Sequence, residues 1–395
     1  MKKALIYYLY GTKNAGDMAI CVGAVEVLKR LGYSITMVNR FSEAESEYEK
    51  SRQYIENYFP DVKVFPGPFS FERDFSLNRK LMTFAISFEK VCGVVPDQKN
   101  LSLIKEHDIV LFNGGNLLRG ETMKDYMRLM ALFYPIELAK KVGTPVYCLP
   151  QSTAGISWFG NLLLKRYLRG IRTIYVRESN SFNLLCKKFP DINFQLSTDL
   201  AFFCQDCEKA KEKFREKFGD MSDSRKVALI LRNSGIGDIG QLNSETEEKL
   251  LTELKTYVLQ HRENEYWVVV QTLKDKDVSE AFFNSVTNHV RIHITECHDP
   301  LVLRELYKNM SLTITMRLHA GILSLSALTP VVGLFSQCWG PKNPGVMSSY
   351  NMPYLLVEQN TESIEQLVEQ IPSDASEKIH EIISSYGNSI VFDTI

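Results

Sequence analysis

Short apolar runs separated by longer stretches of helical period recur along the whole chain. This is the pattern of parallel α/β folding, in which strands buried on both faces read as near-continuous hydrophobic segments. In the first half the runs fall at residues 4–10, 34–39, 108–113, 145–149 and 173–177, and in the second half at 226–232, 266–271, 290–295, 312–315 and 330–335. Between the two sets lies a charged segment, 208–223, with no apolar run and a Gly219-Asp220 turn near its end. It reads as a helix and linker, 208–225, joining a Rossmann-like domain over 1–207 to a second over 226–395. Residues 361–370 and 376–385 read as terminal helices of the second domain, and 42–105, without clear alternation, as helices or an insertion.

In an open α/β sheet, ligands bind beyond the carboxyl ends of the strands, so polar residues placed there are the first candidates for chemistry. Arg317 and His319 flank Leu318 where the run 312–315 ends and an amphipathic helix begins. An always-charged fork and a titratable ring at that position suit an anionic reactant. Arg232 ends the run 226–232 in the same domain and opens on the same crevice. Near the amino terminus, the polar loop 11–17 separates the first apolar run from a helix over 18–31 closed by Gly32. Asn14 and Gly16 lie in that loop, and Asp17 stands where a carboxylate caps a helix or takes a proton. Asn113-Gly114-Gly115-Asn116 follows another strand, and its paired glycines permit close approach of a ligand to the backbone. For Arg177-Glu178 with Ser181 two readings stay open, an ion pair fixing the turn or ligand contact. Asp199 reads as an N-cap and His298-Asp299 as structural.

Four stretches together resemble the polysaccharide pyruvyl transferase family: residues 11–20 (GTKNAGDMAI), Asn113 to Asn116, Tyr175-Val176-Arg177-Glu178 with Ser181, and Arg317-Leu318-His319-Ala320 followed by residues 330–334 (PVVGL). Asn116 stands where family members often have a third Gly. The resemblance implies a GT-B-like α/β fold, two Rossmann-like domains facing a cleft, with carboxyl-terminal helices crossing back. It also implies transfer of pyruvate from phosphoenolpyruvate onto two hydroxyls of a sugar, in a cell-surface polysaccharide or its lipid-linked precursor. Phosphoenolpyruvate is then a co-substrate and no cofactor or metal is expected. Arg317 and Arg232 with Leu318 are the expected donor contacts, and His319, whose imidazole titrates near neutrality, and Asp17 are the acid/base candidates. Asn14, Gly16, Asn113, Gly114, Gly115 and Asn116 are the expected acceptor contacts, on the side of the first domain. The aromatic and basic residues of 69–88 cover a glycan or form a helical core face. The rival is a GT-B glycosyltransferase using a nucleotide sugar, with Arg232 and Lys274 on the diphosphate; against it, no Glu follows a Gly-rich loop at the spacing that grips a ribose. A glycan-binding scaffold without turnover would have no need of both Arg317 and His319.

Composition narrows the field further. A formal net charge of −1 gives no overall basic field for nucleic acid. No apolar stretch reaches the roughly 20 residues of a membrane helix, and the apolar run after Met1-Lys2-Lys3 stops at Gly11-Thr12-Lys13 without a cleavage pattern. The expected location is the cytoplasm, at the inner face of the membrane through the acceptor. Cys204-Gln205-Asp206-Cys207 is a CxxC, but neither a second CxxC nor a spaced His pair completes a zinc site, so two reduced thiols are expected.

Overall fold

The computed structural model describes residues 1–69, 97–221, 224–233, 242–340, 342–359 and 362–392. Two compact units emerge, one formed by Met1–Thr12, Ile20–Leu200 and the tail from Ser389, the other by Lys13–Ala19 and Ala201–Asn388. The expectation for 69–88 falls, beyond Phe69, outside the described residues.

The first unit is built on β1 (Lys2–Leu9), β2 (Tyr33–Asn39), β3 (Lys63–Phe65), β4 (Ile109–Phe112), β5 (Gly115–Gly120), β6 (Val146–Ile156), β7 (Thr173–Val176) and β8 (Phe194–Leu196). All pair in parallel, in the order β3-β2-β1-β4-β6-β7-β8, with β5 beside the far half of β6. The connecting helices are α1 (Ala15–Arg30), α2 (Ser46–Tyr58), α3 (Gln98–Lys105), α4 (Met123–Val142), α5 (Trp158–Leu168) and α6 (Ser179–Lys188). Their ends follow local chemistry. Thr122 and Asp125 form a reciprocal capping box at the start of α4, and Gly143 ends it with a left-handed φ of 80°. The tail completes this unit: Phe392 packs edge-on against Tyr33, Tyr147 and Tyr175, and the Tyr175 hydroxyl bonds both the carbonyl and the N–H of Val391.

The second unit carries α7 (Glu208–Phe218), β9 (Lys226–Ile230), α8 (Ser244–Gln260), β10 (Glu265–Val270), α9 (Lys276–Val286), β11 (Arg291–Glu296), α10 (Pro300–Lys308), β12 (Leu312–Thr315), α11 (Leu318–Ser326), β13 (Val331–Phe335), α12 (Lys342–Ser349), β14 (Tyr354–Leu356), α13 (Ile364–Glu369) and α14 (Ala375–Ser389). Its six strands are parallel in the order β11-β10-β9-β12-β13-β14, the doubly wound arrangement whose direction reverses between β9 and β12. Burial explains why the strands were readable: every residue of β9, β12 and β13 is buried.

All ten runs singled out in the sequence are strands. Among the described residues four further strands, β3, β5, β8 and β14, are additions, three of them only three residues long. Among the described residues no helix is long and apolar enough to cross a membrane.

Candidate functional site

The reversal point of the second sheet fixes where the arginines lie. Strands β9 and β12 run side by side, with Thr315 level with Ile230, so Arg232 and Arg317 leave adjacent strands at the same end. Thr315 shapes the turn after β12: its Oγ1 accepts the N–H of Arg317 at 2.9 Å and donates to the Arg317 carbonyl at 3.0 Å. Arg317 thereby becomes the N-cap residue of α11, with Leu318 buried as its first residue and His319 half-buried as its second.

Arg317 is held by a carboxylate that sequence reasoning did not name. Its Nε donates to Asp275 Oδ2 at 2.7 Å and its Nη2 to Asp275 Oδ1, a bidentate pair. Asp275, 1% exposed, ends the short turn Leu273–Asp275 after β10, and also accepts the backbone N–H of Asn233 at 3.0 Å. One buried carboxylate thus ties together the carboxyl ends of β9, β10 and β12. The fork is aimed by Asp275, which occupies its Nε and Nη2.

Arg232 is held differently. Its guanidinium stacks 4.5 Å from the ring of buried Trp339, in the turn Gln337–Trp339 after β13. Its Nε has no hydrogen-bond partner among the described residues. Burial first, and then the charge of Arg317, push the Arg232 pKa down to about 10, against the pull of Asp275 and Cys338. The like charge of Arg317 thus adds to the cost of keeping Arg232 charged in a partly dry place, whereas Arg317 has Asp275 as its counter-ion.

His319 faces the first turn of α1, whose residues Lys13–Ala19 belong to this same unit. A Cβ at Gly16 would lie 2.3 Å from His319 Nδ1 and 2.4 Å from Cγ, so only glycine lets the ring pack there. The side chain of Asn14 accepts the Gly16 N–H at 3.1 Å and caps α1, so a cap role falls to Asn14. Asp17 is half-buried in the same turn. The structure thus gathers Arg232, Arg317, Leu318 and His319 with Asn14, Gly16 and Asp17 in one unit.

The residues 113–116 belong to the first unit, and here the acceptor-contact expectation needs correction for Asn113. It is 0% exposed, its Nδ2 donates to the Tyr8 carbonyl and the Cys21 sulfur, and its Oδ1 accepts the Gly114 N–H. A side chain enclosed and bonded at both ends supports the turn and has no surface for a ligand. Gly114 gives its carbonyl to the Tyr10 hydroxyl. Gly115, at φ 140°, has that hydroxyl where a Cβ would be, 2.3 Å away. The half-buried Asn116 side chain has an Oδ1 without a hydrogen-bond partner among the described residues.

The two open readings of Arg177 resolve toward the turn. Its Nε donates to Ser152 and its Nη1 to Asp199 at 2.5 Å, with both charged side chains buried. Asp199 is therefore the counter-ion of Arg177. Glu178 caps α6 by accepting the N–H of Ser181. Asp299 caps α10 and His298 bonds the Gln271 carbonyl and Glu296. Cys204 and Cys207 are free thiols, and Asp206 between them binds Arg304 and Lys308.

Two units, each a parallel sheet in Rossmann order, define the GT-B class of α/β protein. A UDP-GlcNAc 2-epimerase from Neisseria meningitidis bound to UDP-GlcNAc is similar over 99% of this chain and 100% of its own, with 13% identity and a TM-score of 0.58. The UDP-GlcNAc 2-epimerase from Methanocaldococcus jannaschii (12% identity, 98% and 100% covered, TM-score 0.57) and a UDP-glucosyltransferase from Polygonum tinctorium (11%, 98% and 93%, TM-score 0.55) share the architecture. At such identities the likeness is one of fold. No curated protein matches the chain in sequence. Within this class the chain belongs to the polysaccharide pyruvyl transferase family, whose sequence pattern matches residues 14–334.

Proposed function

We propose that the protein transfers pyruvate from phosphoenolpyruvate onto two hydroxyls of one sugar, in a polysaccharide or its lipid-linked precursor, forming a cyclic ketal. The observation that carries this reading is the pair Arg232 and Arg317 at the sheet reversal: Arg317 is aimed by Asp275, and Arg232 has no counter-ion bond and no hydrogen-bond partner on its Nε among the described residues. A small polyanion with a carboxylate and a phosphate would supply Arg232 with a counter-charge and meet the Arg317 fork. Leu318, at the start of α11, offers its backbone N–H to the same anion.

His319 is the proposed general acid, protonating the methylene carbon of the donor while one sugar hydroxyl adds to its C2. Phosphate leaves, and the second hydroxyl closes on C2. The two hydroxyl protons end on the new methyl group and on the released phosphate, with Asp17 as the proposed base. Asn14 and Gly16 present the turn that carries Asp17. No cofactor or metal takes part in this scheme, in which phosphoenolpyruvate is a co-substrate. Contact of Gly114, Gly115 and Asn116 with the acceptor is a separate proposal, for which Asn116→Ala should raise the acceptor KM and leave donor binding unchanged.

The test is incubation with phosphoenolpyruvate and a panel of aryl and lipid-linked hexosides, following phosphate release and a pyruvyl mass increment. His319→Gln should lower turnover by about 10²–10⁴-fold, the usual contribution of a general acid, while phosphoenolpyruvate still raises the melting temperature. Hexose transfer from a UDP-sugar, with no response to phosphoenolpyruvate, would instead assign the site to a glycosyltransferase.

A further inference from the structure

The start of α5 presents large apolar side chains to solvent. Trp158 is 77% exposed, Leu162 47% and Phe159 45%, whereas Gly160, Leu164, Tyr167 and Leu168 turn the opposite face of the helix into the core. The helix cannot roll to hide them. The backbone of Gly160 lies against that of Gly120, and the Phe159 ring packs edge-on against Tyr126 at 4.9 Å. That contact brings the start of α4 alongside, where Met123 (68% exposed) and Met127 extend the apolar surface.

Cations predominate around this patch. Lys165 and Arg166 both follow about two turns after Trp158 on the exposed face, Arg169 comes next, and no Asp or Glu occurs between Ser157 and Arg172. Lys124 is exposed on the α4 side. Of the nearby acids, Asp125 is buried and paired with Arg119, and Glu121 lies beside Gly155 on the rim. A chain of net charge −1 thus concentrates cations around its exposed tryptophan.

From this juxtaposition we infer that the Trp158–Leu162 face of α5, ringed by Lys124, Lys165, Arg166 and Arg169, docks on an anionic lipid bilayer. A tryptophan seats its ring at the headgroup level, with Leu162 and the methionines entering just below it. Lysine and arginine then meet the lipid phosphates, and neither group alone gives lasting attachment. The inference concerns the first unit alone and stands whatever reaction the second unit performs.

The experiment is flotation of the full chain with vesicles of phosphatidylcholine and with vesicles of equal parts phosphatidylcholine and phosphatidylglycerol. Wild-type protein should float with the anionic vesicles, lose that association as salt rises, and show blue-shifted tryptophan emission on binding. Trp158→Ser with Leu162→Ser should weaken partition roughly tenfold or more, and Lys165→Gln with Arg166→Gln by a similar factor on anionic vesicles only. These side chains are exposed, so unchanged melting temperatures will show the variants folded. Equal flotation of wild type and the Trp158/Leu162 variant, or no flotation of wild type, overturns the proposal. So does a concentration-dependent dimer that the same variant abolishes, which would make the face a contact between two copies.

Discussion

Gly16 and His319, some three hundred residues apart in sequence, touch through the absence of a side chain on the first. The catalytic reading of His319 therefore depends on a glycine in a different motif. Gly16→Ala should push the ring aside, lowering stability by about 1–3 kcal/mol, the usual cost of overpacking, and turnover by much more than donor affinity. In the double variant Gly16→Ala/His319→Ala the stability loss should largely vanish while activity stays absent. Thermal melts of the four-member cycle decide it: additive losses would mean that the two residues do not compete for space.

Asp275 should control the donor through Arg317. Removing a carboxylate from the neighbourhood of an anion site strengthens anion binding if only its field matters. If Asp275 aims the Arg317 fork, Asp275→Asn weakens binding instead. We expect weaker donor affinity, together with a stability loss toward the low end of the roughly 3–5 kcal/mol typical for breaking a buried pair, since Arg317 is partly exposed. Calorimetric titration with phosphoenolpyruvate gives the sign directly.

Arg232 costs the unliganded protein stability. Its folded-state pKa of about 10 lies below its ordinary value, so the folded form binds that proton less tightly than the unfolded chain does. The penalty is constant below about pH 10 and fades as the pH rises through that value. Arg232→Met should therefore leave the free protein as stable or more stable, by an amount independent of pH from neutrality to near that limit. The rise in melting temperature on adding phosphoenolpyruvate should shrink or disappear. A variant that is destabilised yet binds donor normally would make Arg232 a structural residue.

Asp206 should set part of the acid response. Burial raises its pKa, but hydrogen bonds from Lys308 and Arg304 outweigh that and bring it down to about 2. Its contribution is complete above its ordinary value of 3.8 and is lost as the pH falls through about 2. Asp206→Asn should lower the melting temperature at neutral pH and have little effect near the bottom of that range. An equal shift at both pH values would refute the ionic origin.

Much of the architecture could be read from sequence because parallel strands buried on both faces are continuous apolar runs. β3 and β14 escaped because three residues are too few to show a period, and β5 because Gly115 and Gly120 bound it like a loop. At the site, Arg232 and Arg317 were legible as strand-end residues, since strand ends are where open α/β sheets bind ligands. Asp275 and Trp339 were not. Each lies in a turn of ordinary composition, and only the strand order brings those turns to the two arginines. Asn113 misled in the opposite direction: a polar residue beside glycines looks exposed, yet its hydrogen bonds close the turn from within. Asp199 likewise reads as a cap in sequence, because its partner Arg177 lies beyond a full helix.

The seating of Phe392 against Tyr33, Tyr147 and Tyr175 has a consequence for biosynthesis. The ribosome delivers the strands of the first unit early, but one aromatic of that unit's core follows only after all of the second unit. The ring contacts of Tyr33, Tyr147 and Tyr175 with Phe392 form only once residues 201–388 have been made. Completion of the first sheet's aromatic packing is thus coupled to synthesis of the second unit, which precedes Phe392 in the chain.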